Sequence, residues 1–296
     1  MKNISLKGTV LLFLAAFIWG IAFVAQSVGM DYMGPLSFIG GRFLMGSAVL
    51  VPLVVYKRKK NKIENIRPAD AKVTIVGGIS CGLALCFASL MQQFGIMHTT
   101  VGKAGFITTL YIIIVPIFGV FLKRKVAGKV WISAVIAAAG MYLLCMNEKL
   151  TIGKGDGLVF VCAILFSVHI LVIDYFSPKA DGVELSCLQF LTAGIIGSVG
   201  AILFEEPRIG DFIAGIIPLA YAGIMSSGVA YTLQIIGQKD MDPTVASLIL
   251  SMESVISMLA GWVLLGQALS GRELLGCLLV FGAVILVQLP DMKKRI

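Results

Sequence analysis

Apolar positions along this chain form long runs, and most polar positions fall between those runs. A membrane-spanning helix needs ~20 mostly apolar residues to cross ~30 Å of hydrocarbon, and ten runs approach or exceed that length. The runs lack the two-residue alternation of outer-membrane barrel strands. Since helices satisfy their own backbone hydrogen bonds in lipid, the pattern predicts ten transmembrane helices. The predicted spans are residues 8–28, 35–56, 71–95, 101–122, 128–146, 156–176, 183–204, 212–236, 244–265 and 272–289.

Composition supports an all-α integral membrane protein. The chain is 58% hydrophobic and 14% charged, whereas soluble domains are roughly 45–50% apolar and ~25% charged. Lys2 and Lys7 precede the first run, as in a signal peptide. No convincing small-x-small cleavage site follows that run, however, and nine more spans come after it, so we interpret it as a helix of the mature protein.

The positive charges are distributed by side of the membrane. If the N-terminus is cytoplasmic, the cytoplasmic segments hold 18 of the 24 Lys and Arg, the opposite side holds five, and Arg42 lies within a span. This asymmetry follows the positive-inside rule and predicts a multi-pass protein of a bacterial plasma membrane with both termini cytoplasmic. The clusters at 57–60, 123–125 and 293–295 are therefore topology signals that can contact anionic lipid, and nucleic acid is not an expected partner.

The two halves of the chain resemble each other at offsets that stay constant over long stretches. Residues 91–111 align with 233–253, and residues 40–46 align with 187–193. Aligned pairs include Gln92 with Gln234, Gly95 with Gly237, Tyr111 with Glu253, Arg42 with Gln189, and Phe43 with Phe190. Five helices in each half is an odd number, so the second half enters the membrane from the opposite face. The sequence predicts two inverted five-helix repeats, residues 1–150 and 151–296, forming one membrane domain with a substrate site between them.

Several short motifs together resemble one transporter family. They are Trp19-Gly20, "PLSFIGGRF" at 35–43, "LYIIIVPIF" at 110–118, "LSMESV" at 250–255 and "LLGQ" at 264–267. In this combination the chain resembles the drug/metabolite transporter superfamily, in its ten-helix EamA-type branch. The resemblance implies a secondary transporter, often an exporter of amino acids or other small metabolites.

Two positions depart from the pattern of that family. Ser254 and Gln267 stand where related sequences usually carry Pro and Glu. A salt bridge in the outer loop therefore cannot be carried over to this chain.

Charges inside the predicted spans are candidate functional residues, because a charge at the bilayer centre costs ~2.5–3.5 kcal/mol and usually faces a bundle interior or a cavity. Arg42 could clamp a carboxylate through its planar guanidinium, or bridge to helix backbone or an acidic residue. Glu253 is the only charge between Thr244 and Gly266. It could bind the amine of a substrate, carry a proton, or fix Arg42 or His169; alternatively it is a protonated carboxyl that only holds the fold.

Uncharged polar and aromatic residues complete the candidate site. His169 is either a hydrogen-bonded buried histidine or a cavity residue that contacts substrate or relays protons. Trp19 shares a helical stripe with the counterpart of His169 in the repeat. The predicted substrate-binding residues are Glu253, Arg42, Tyr111, His169, Gln189, Trp19, Gln92, Gln234 and Tyr231.

These features favour a secondary transporter of a small metabolite such as an amino acid, working by alternating access. The solute is the expected partner besides the bilayer, proton coupling is an open alternative, and the expected state is a monomer or weak dimer. No Walker motif occurs, and no cytoplasmic loop is long enough for a nucleotide-binding domain. The six cysteines include no Cys-x-x-Cys pair, so we expect no cofactor, no metal site and no disulfide.

Two other classes of function are alternatives. A membrane-embedded enzyme acting on a lipid or lipid-linked substrate would need clustered acids, histidines or metal ligands near one surface. The sequence offers two His and one mid-span Glu, which argues against that class. A channel is less favoured, because no pore-lining ring or Gly-rich filter is visible.

Overall fold

The structure, a computed structural model, describes residues 6–64, 69–99, 101–124, 126–145, 153–265 and 270–289. Those ranges contain helices and no strands. Gln267 and the basic cluster 293–295, both used in the sequence interpretation, lie outside them. The helices are α1 (Leu6–Gly29), α2 (Pro35–Ile63), α3 (Ala71–Ile96), α4 (Val101–Thr109), α5 (Tyr111–Phe121), α6 (Gly128–Cys145), α7 (Lys154–Phe176), α8 (Gly182–Phe204), α9 (Ile209–Ala214), α10 (Ile216–Ala220), a π-helix (Tyr221–Tyr231), α11 (Thr232–Gln238), α12 (Pro243–Leu250), α13 (Met252–Leu265) and α14 (Gly271–Gln288).

The described helices make this a multi-pass membrane protein. Eight helical stretches are long and apolar enough to cross a bilayer. They are Leu6–Gly29, Pro35–Ile63, Ala71–Ile96, Ala104–Phe121, Lys154–Phe176, Gly182–Phe204, Ile216–Gln238 and Pro243–Leu264. Helices α6 and α14 contain shorter apolar stretches, Gly128–Gly140 and Leu274–Val287.

Two of the predicted spans are interrupted near their middle. The run 101–122 divides between α4 and α5 at Leu110, and the run 244–265 divides between α12 and α13 at Ser251. A hydroxyl lies at each break: Thr109 Oγ1 donates to the Phe106 carbonyl at 2.9 Å, and Ser251 Oγ donates to the Leu248 carbonyl at 2.7 Å. Such bonds to the preceding turn compete with the helical ladder and favour bending at both positions.

The predicted run 212–236 is likewise more than one regular helix. It comprises α9, α10, the π-helix and α11, with Gly215 between the two short helices. In the π-helix the Ser227 hydroxyl donates to the Ala222 carbonyl, five residues earlier, at 2.8 Å. An apolar run shows that a segment can span the membrane, but it does not distinguish i→i+4 from i→i+5 bonding.

Most close helix pairs join a helix from residues 6–145 to one from residues 153–289. Helix α2 packs along α8, α3 along α7 and α8, α1 along α13 and the π-helix, and α6 along α14. The α2–α8 crossing depends on glycine, since a Cβ on Gly197 would lie 2.7 Å from the Gly40 backbone nitrogen. Close to this crossing the rings of Phe43 and Phe190 stack, with centroids 5.9 Å apart. The two parts of the chain therefore interleave in one bundle.

Candidate functional site

A cavity lies at the centre of the bundle, where ten of the described helical elements meet. The cavity and its open mouth together contain about 440 Å³ of space not filled by protein atoms. Its lining combines aromatic rings with amides, hydroxyls, one guanidinium and one carboxyl. The lining residues are Trp19, Phe23, Gln26, Arg42, Gln92, Thr108, Tyr111, Phe166, Ile170, Ser226, Tyr231, Gln234, Leu250 and Glu253.

Arg42 is 2% exposed and reaches the cavity from α2. Its Nη1 donates to Gln26 Oε1 at 3.0 Å. Its Nη2 and Nε donate to the hydroxyls of Ser226 and Ser227, each at 3.4 Å. Among the described residues no Asp or Glu forms an ion pair with it. The guanidinium is thus held by neutral groups alone, so the predicted alternative of an acidic bridge is not what the structure shows.

The π-helix supplies two of the three groups that hold Arg42. Its wide turn places consecutive residues at a smaller angle about the axis than an α-helix would, so Ser226 and Ser227 both face the guanidinium. The Ser226 carbonyl also accepts a hydrogen bond from Trp19 Nε1 at 3.2 Å. At the end of the same segment the ring of Tyr231 packs on Trp19, with centroids 4.5 Å apart. One irregular segment therefore positions both the cation and an aromatic wall.

Glu253 is 5% exposed and lies one residue after the start of α13. Its Oε1 accepts a hydrogen bond from the Tyr111 hydroxyl at 2.9 Å, so the residues that follow the two helix interruptions meet across the bundle. Among the side chains that the structure describes, no Lys, Arg or His lies within ion-pair distance of this carboxyl. Glu253 therefore fixes neither Arg42 nor His169 in this state, which were two of the predicted roles.

Two glutamines add amide groups to the lining. Gln92 Nε2 donates to Thr108 Oγ1 at 3.1 Å. Gln234 is 2% exposed, and its Oε1 has no hydrogen-bond partner among the described residues. An unsatisfied buried acceptor costs free energy, so a donor entering the cavity would be favoured there.

His169 and Gln189, predicted as substrate-binding residues, do not line the cavity. Both are fully buried, and His169 Nε2 lies 3.1 Å from Gln189 Oε1. The imidazole makes edge contacts with Phe166 and Tyr231, at centroid distances of 6.3 and 5.9 Å. The pair therefore lies behind two rings of the cavity wall, where it supports their position.

The structure brings together the other seven predicted residues: Trp19, Arg42, Gln92, Tyr111, Tyr231, Gln234 and Glu253. Sequence reasoning did not single out Phe166, Ile170 or Leu250, because apolar residues inside a membrane span carry no signal by themselves. Phe166 had one available signal, since the offset of 147 that pairs Arg42 with Gln189 also pairs it with Trp19.

The arrangement can bind a ligand that carries both signs of charge. An arginine has five N–H donors, and three hydrogen bonds to neutral groups leave donors for a carboxylate. The carboxyl of Glu253 and the free Oε1 of Gln234 accept hydrogen bonds and suit an ammonium group. No group of three or more His, Cys, Asp or Glu that could hold a metal occurs among the described residues.

Comparison with known proteins identifies relatives over nearly the whole length. An uncharacterized transporter of Archaeoglobus fulgidus is 28% identical over 277 residues, which cover 93% of this chain and 84% of that protein. The uncharacterized transporter YoaV of Bacillus subtilis is 21% identical over 285 residues, which cover 94% of this chain and 96% of that protein. The uncharacterized inner membrane transporter YedA of Escherichia coli is 21% identical over 286 residues, which cover 94% of this chain and 89% of that protein.

A solved crystal structure shares the fold. It has a TM-score of 0.76 at 19% sequence identity and covers 95% of this chain and 96% of that chain. The sequence pattern of the EamA-like transporter family matches twice, over residues 6–146 and again over residues 153–289. Because these matches take in nearly the entire chain, the protein belongs to the EamA-like transporter family.

Proposed function

We propose that the protein is a secondary transporter that exports a small zwitterionic metabolite, an amino acid or a related solute, by alternating access. One observation carries the proposal: Arg42 and Glu253 line the same buried cavity, and neither has an oppositely charged partner among the described side chains. Burying an unpaired charge is expensive, so a site that contains two suits a ligand that brings both counter-charges. The direction of transport rests on the resemblance stated above.

Contacts at equivalent positions support two inverted repeats, residues 1–150 and 151–296, with five spans each. A Cβ on Gly95 would lie 3.0 Å from the Gly155 carbonyl oxygen, and a Cβ on Gly237 would lie 3.0 Å from the Gly8 carbonyl oxygen. The sequence offsets relate Gly95 to Gly237 and Gly8 to Gly155. The same helix–helix contact therefore occurs twice, as a two-fold axis in the membrane plane requires.

Residues that pair with their own counterparts support the same axis. The alignment relates Phe43 to Phe190, and these rings stack. It also relates Tyr111 to Glu253, and these side chains share a hydrogen bond. An axis through the middle of the bundle brings equivalent residues together in this way. Helices α6 and α14 are the two further spans of the proposal, the fifth and the tenth along the chain, because they occupy equivalent places and pack on each other.

Alternating access would use this geometry directly. We infer that the cavity opens first to one side and then to the other, and that Glu253 exchanges its Tyr111 hydrogen bond for substrate or a proton during the cycle. A secondary transporter needs no cofactor, and the solute leaves chemically unchanged. The cavity lies inside one chain, so the monomer is the proposed working unit, with at most weak dimerisation.

The proposed location is a bacterial plasma membrane, with both termini in the cytoplasm. The charge asymmetry of the connecting segments supports this orientation. The relative YedA carries the description of an inner membrane transporter, which is consistent with it.

A thermal-shift screen followed by counterflow tests the proposed substrate class. Purified protein would be melted with each amino acid, with the matching amide that lacks the carboxylate, and with the matching deaminated acid. The best ligand would then be used in proteoliposome counterflow. We expect stabilisation and counterflow with a zwitterion, a smaller effect with either single-charge analogue, and recovery of unchanged solute.

The controls separate this function from the alternatives. Protein-free liposomes set the background. Recovery of a chemically altered solute would instead favour the membrane-enzyme alternative. Equal stabilisation by a zwitterion and both analogues would contradict recognition by Arg42 and Glu253, and counterflow at the protein-free level for every ligand that stabilises the protein would contradict transport.

A further inference from the structure

A second concave surface lies away from the central cavity, at the end of the bundle proposed to face the cytoplasm. It is an open groove between the last turns of α2, the first turns of α3, the 177–181 connection, the start of α8 and the end of α11. The groove and its open mouth contain about 2460 Å³ of space, far more than the central cavity. A molecule larger than a single ion can therefore occupy it.

The groove carries an excess of positive charge. Five cations and two acids among the described residues line it. Both acids already have partners: Asp181 forms an ion pair with Lys57, and Glu184 binds Arg58 through two hydrogen bonds of 2.7 and 3.1 Å. Lys62 and Lys179 add two further cations, and Lys179 Nζ lies over the Tyr175 ring, 3.0 Å from its centroid. Among the residues that the structure describes, no further acid lines the groove, so its field favours an anion.

One wall of the groove is apolar. Ile75 and Ile236 line it and are 50% and 38% exposed. Both belong to helical stretches that are apolar enough to span the bilayer. A soluble anion would gain nothing from these side chains, whereas an acyl chain would cover them.

A buried hydroxyl completes the polar part of the groove. Ser177 lines the groove and is 1% exposed, and its Oγ has no hydrogen-bond partner among the described residues. A phosphate oxygen is an acceptor that would satisfy it. Cations, a free hydroxyl and an apolar wall at the membrane boundary together match a phospholipid better than any soluble ion.

We propose that this groove binds one anionic phospholipid of the cytoplasmic leaflet, with the headgroup phosphate among Lys62, Lys179 and the Ser177 hydroxyl and an acyl chain along Ile75 and Ile236. The proposal rests on the proposed orientation but not on the proposed substrate. Lys62 lies on α2 and Lys179 follows α7, so the lipid bridges the first and second halves of the chain. Binding should therefore stabilise the folded protein.

The test compares lipids and charge-matched variants in neutral detergent, without any transport substrate. Dioleoyl phosphatidylglycerol and dioleoyl phosphatidylcholine would be titrated while thermal unfolding is followed, and native mass spectrometry would count bound lipids. The variant is Lys62→Gln with Lys179→Gln. The control is Lys7→Gln with Lys123→Gln, which removes two exposed lysines from the same proposed face outside the groove.

We expect phosphatidylglycerol, and not phosphatidylcholine, to raise the melting temperature, with one tightly bound copy. A basic residue near an anionic headgroup is worth about fivefold in affinity, so the groove variant should bind about 25-fold more weakly. The control should bind as wild type does. Both variants should melt like wild type before lipid is added, since neither replaces a residue of the buried core.

Three outcomes would overturn the proposal. Equal stabilisation by phosphatidylcholine would mean that charge is not recognised. Equal stabilisation by inorganic phosphate or glycerol phosphate would mean a site for soluble phosphate. Equal weakening in the control would mean diffuse attraction to the whole face. Because no solute is present, these results do not depend on whether the substrate proposal holds.

Discussion

At the scale of residues, the cavity is defined by charges that the protein does not neutralise internally. Arg42 is fully enclosed and held by an amide and two hydroxyls, and Glu253 is held by one phenol. These few hydrogen bonds lower the free-energy cost of burying the two side chains, and they leave further donors and acceptors that a ligand can use. The same contacts make separate predictions for the two side chains.

Replacing Glu253 with Gln should keep the fold and impair transport. The amide oxygen can still accept the Tyr111 hydrogen bond, but the side chain can neither ionise nor pair with an ammonium group. We expect a large loss of counterflow, or loss of its dependence on pH between acid and alkaline conditions. Glu253→Leu is the companion variant: it leaves the Tyr111 hydroxyl unsatisfied and should lower stability by about 1–3 kcal/mol. Wild-type transport by Glu253→Gln at every pH would remove ionisation from the mechanism.

Replacing Arg42 with Lys should weaken substrate binding although the charge remains. A lysine offers a point charge in place of a planar fork, so bidentate contact with a carboxylate is lost. Hydrogen bonds to charged groups are worth about 1.5–3 kcal/mol, which corresponds to about 10- to 100-fold in affinity. Arg58→Lys is the matched control, because Arg58 also makes a bidentate contact but lies outside the cavity. Equal ligand affinity of Arg42→Lys and wild type, measured by thermal shift, would remove Arg42 from the site.

At the scale of elements, close approach of helices sets the width of the cavity. Helix α1 meets α13 at Gly20, where an added Cβ would lie 2.5 Å from Ile256 Cβ and 2.9 Å from the Glu253 carbonyl oxygen. Both neighbours are fixed to the backbone of α13 and cannot rotate away. The spacing between Trp19 on one helix and Glu253 on the other therefore depends on a missing side chain.

Gly20→Ala should push α1 away from α13 and destabilise the protein by about 1–3 kcal/mol, the usual cost of overpacking. The matched control is Gly282→Ala on α14, where an added Cβ meets nothing within 4 Å. That change should leave stability unchanged or raise it by up to ~1 kcal/mol, because Ala favours the helix. Melting curves in detergent would measure both variants. A Gly20→Ala protein that melts like wild type would show that the two helices can separate freely.

The ends of α2 and α8 are held at both sides of the bundle. The carboxylate of Glu205 accepts hydrogen bonds from the backbone nitrogens of Leu36 and Ser37, each at 2.8 Å. At the other end Arg58 binds Glu184. The offset of 147 relates Arg58 to Glu205 and Ser37 to Glu184, so equivalent contacts use different chemistry. Held at both ends, this pair is suited to stay together while other helices move.

The sequence predicted spans and cavity residues for one physical reason: a polar side chain in lipid is costly and therefore informative. Arg42 and Glu253 stand out of apolar runs for this reason. The interruption at Ser251 and the π-helix could not be predicted, because local changes from i→i+4 bonding leave no trace in an apolar pattern. The sequence left His169 open between a buried hydrogen-bonded histidine and a cavity residue, and it lies behind the cavity wall, since helical spacing gives the direction of a side chain but not its depth.

At the scale of the whole molecule, the charge asymmetry makes a prediction about orientation. In a cysteine-free background, a cysteine at Lys60 should react with impermeant reagent only from the cytoplasm. A cysteine at Arg208, at the opposite end of the bundle, should react only from outside. The reason is that most basic residues remain on the side from which the chain is inserted. Labelling of Lys60→Cys in intact cells would reverse the orientation and move the proposed lipid groove to the other leaflet.

The contact between Tyr111 and Glu253 also bears on ancestry. Under the proposed two-fold relation, a dimer of identical half-length chains would set each residue on the axis against its own copy. Two ionised carboxylates would then repel, and two phenols would place no group that ionises near neutral pH at this position. Fusion into a single gene frees the two positions to diverge, so one can donate while the other accepts. Under the proposed repeat, the unlike Tyr111–Glu253 pair therefore requires two different halves, and two copies of either half alone could not reproduce it.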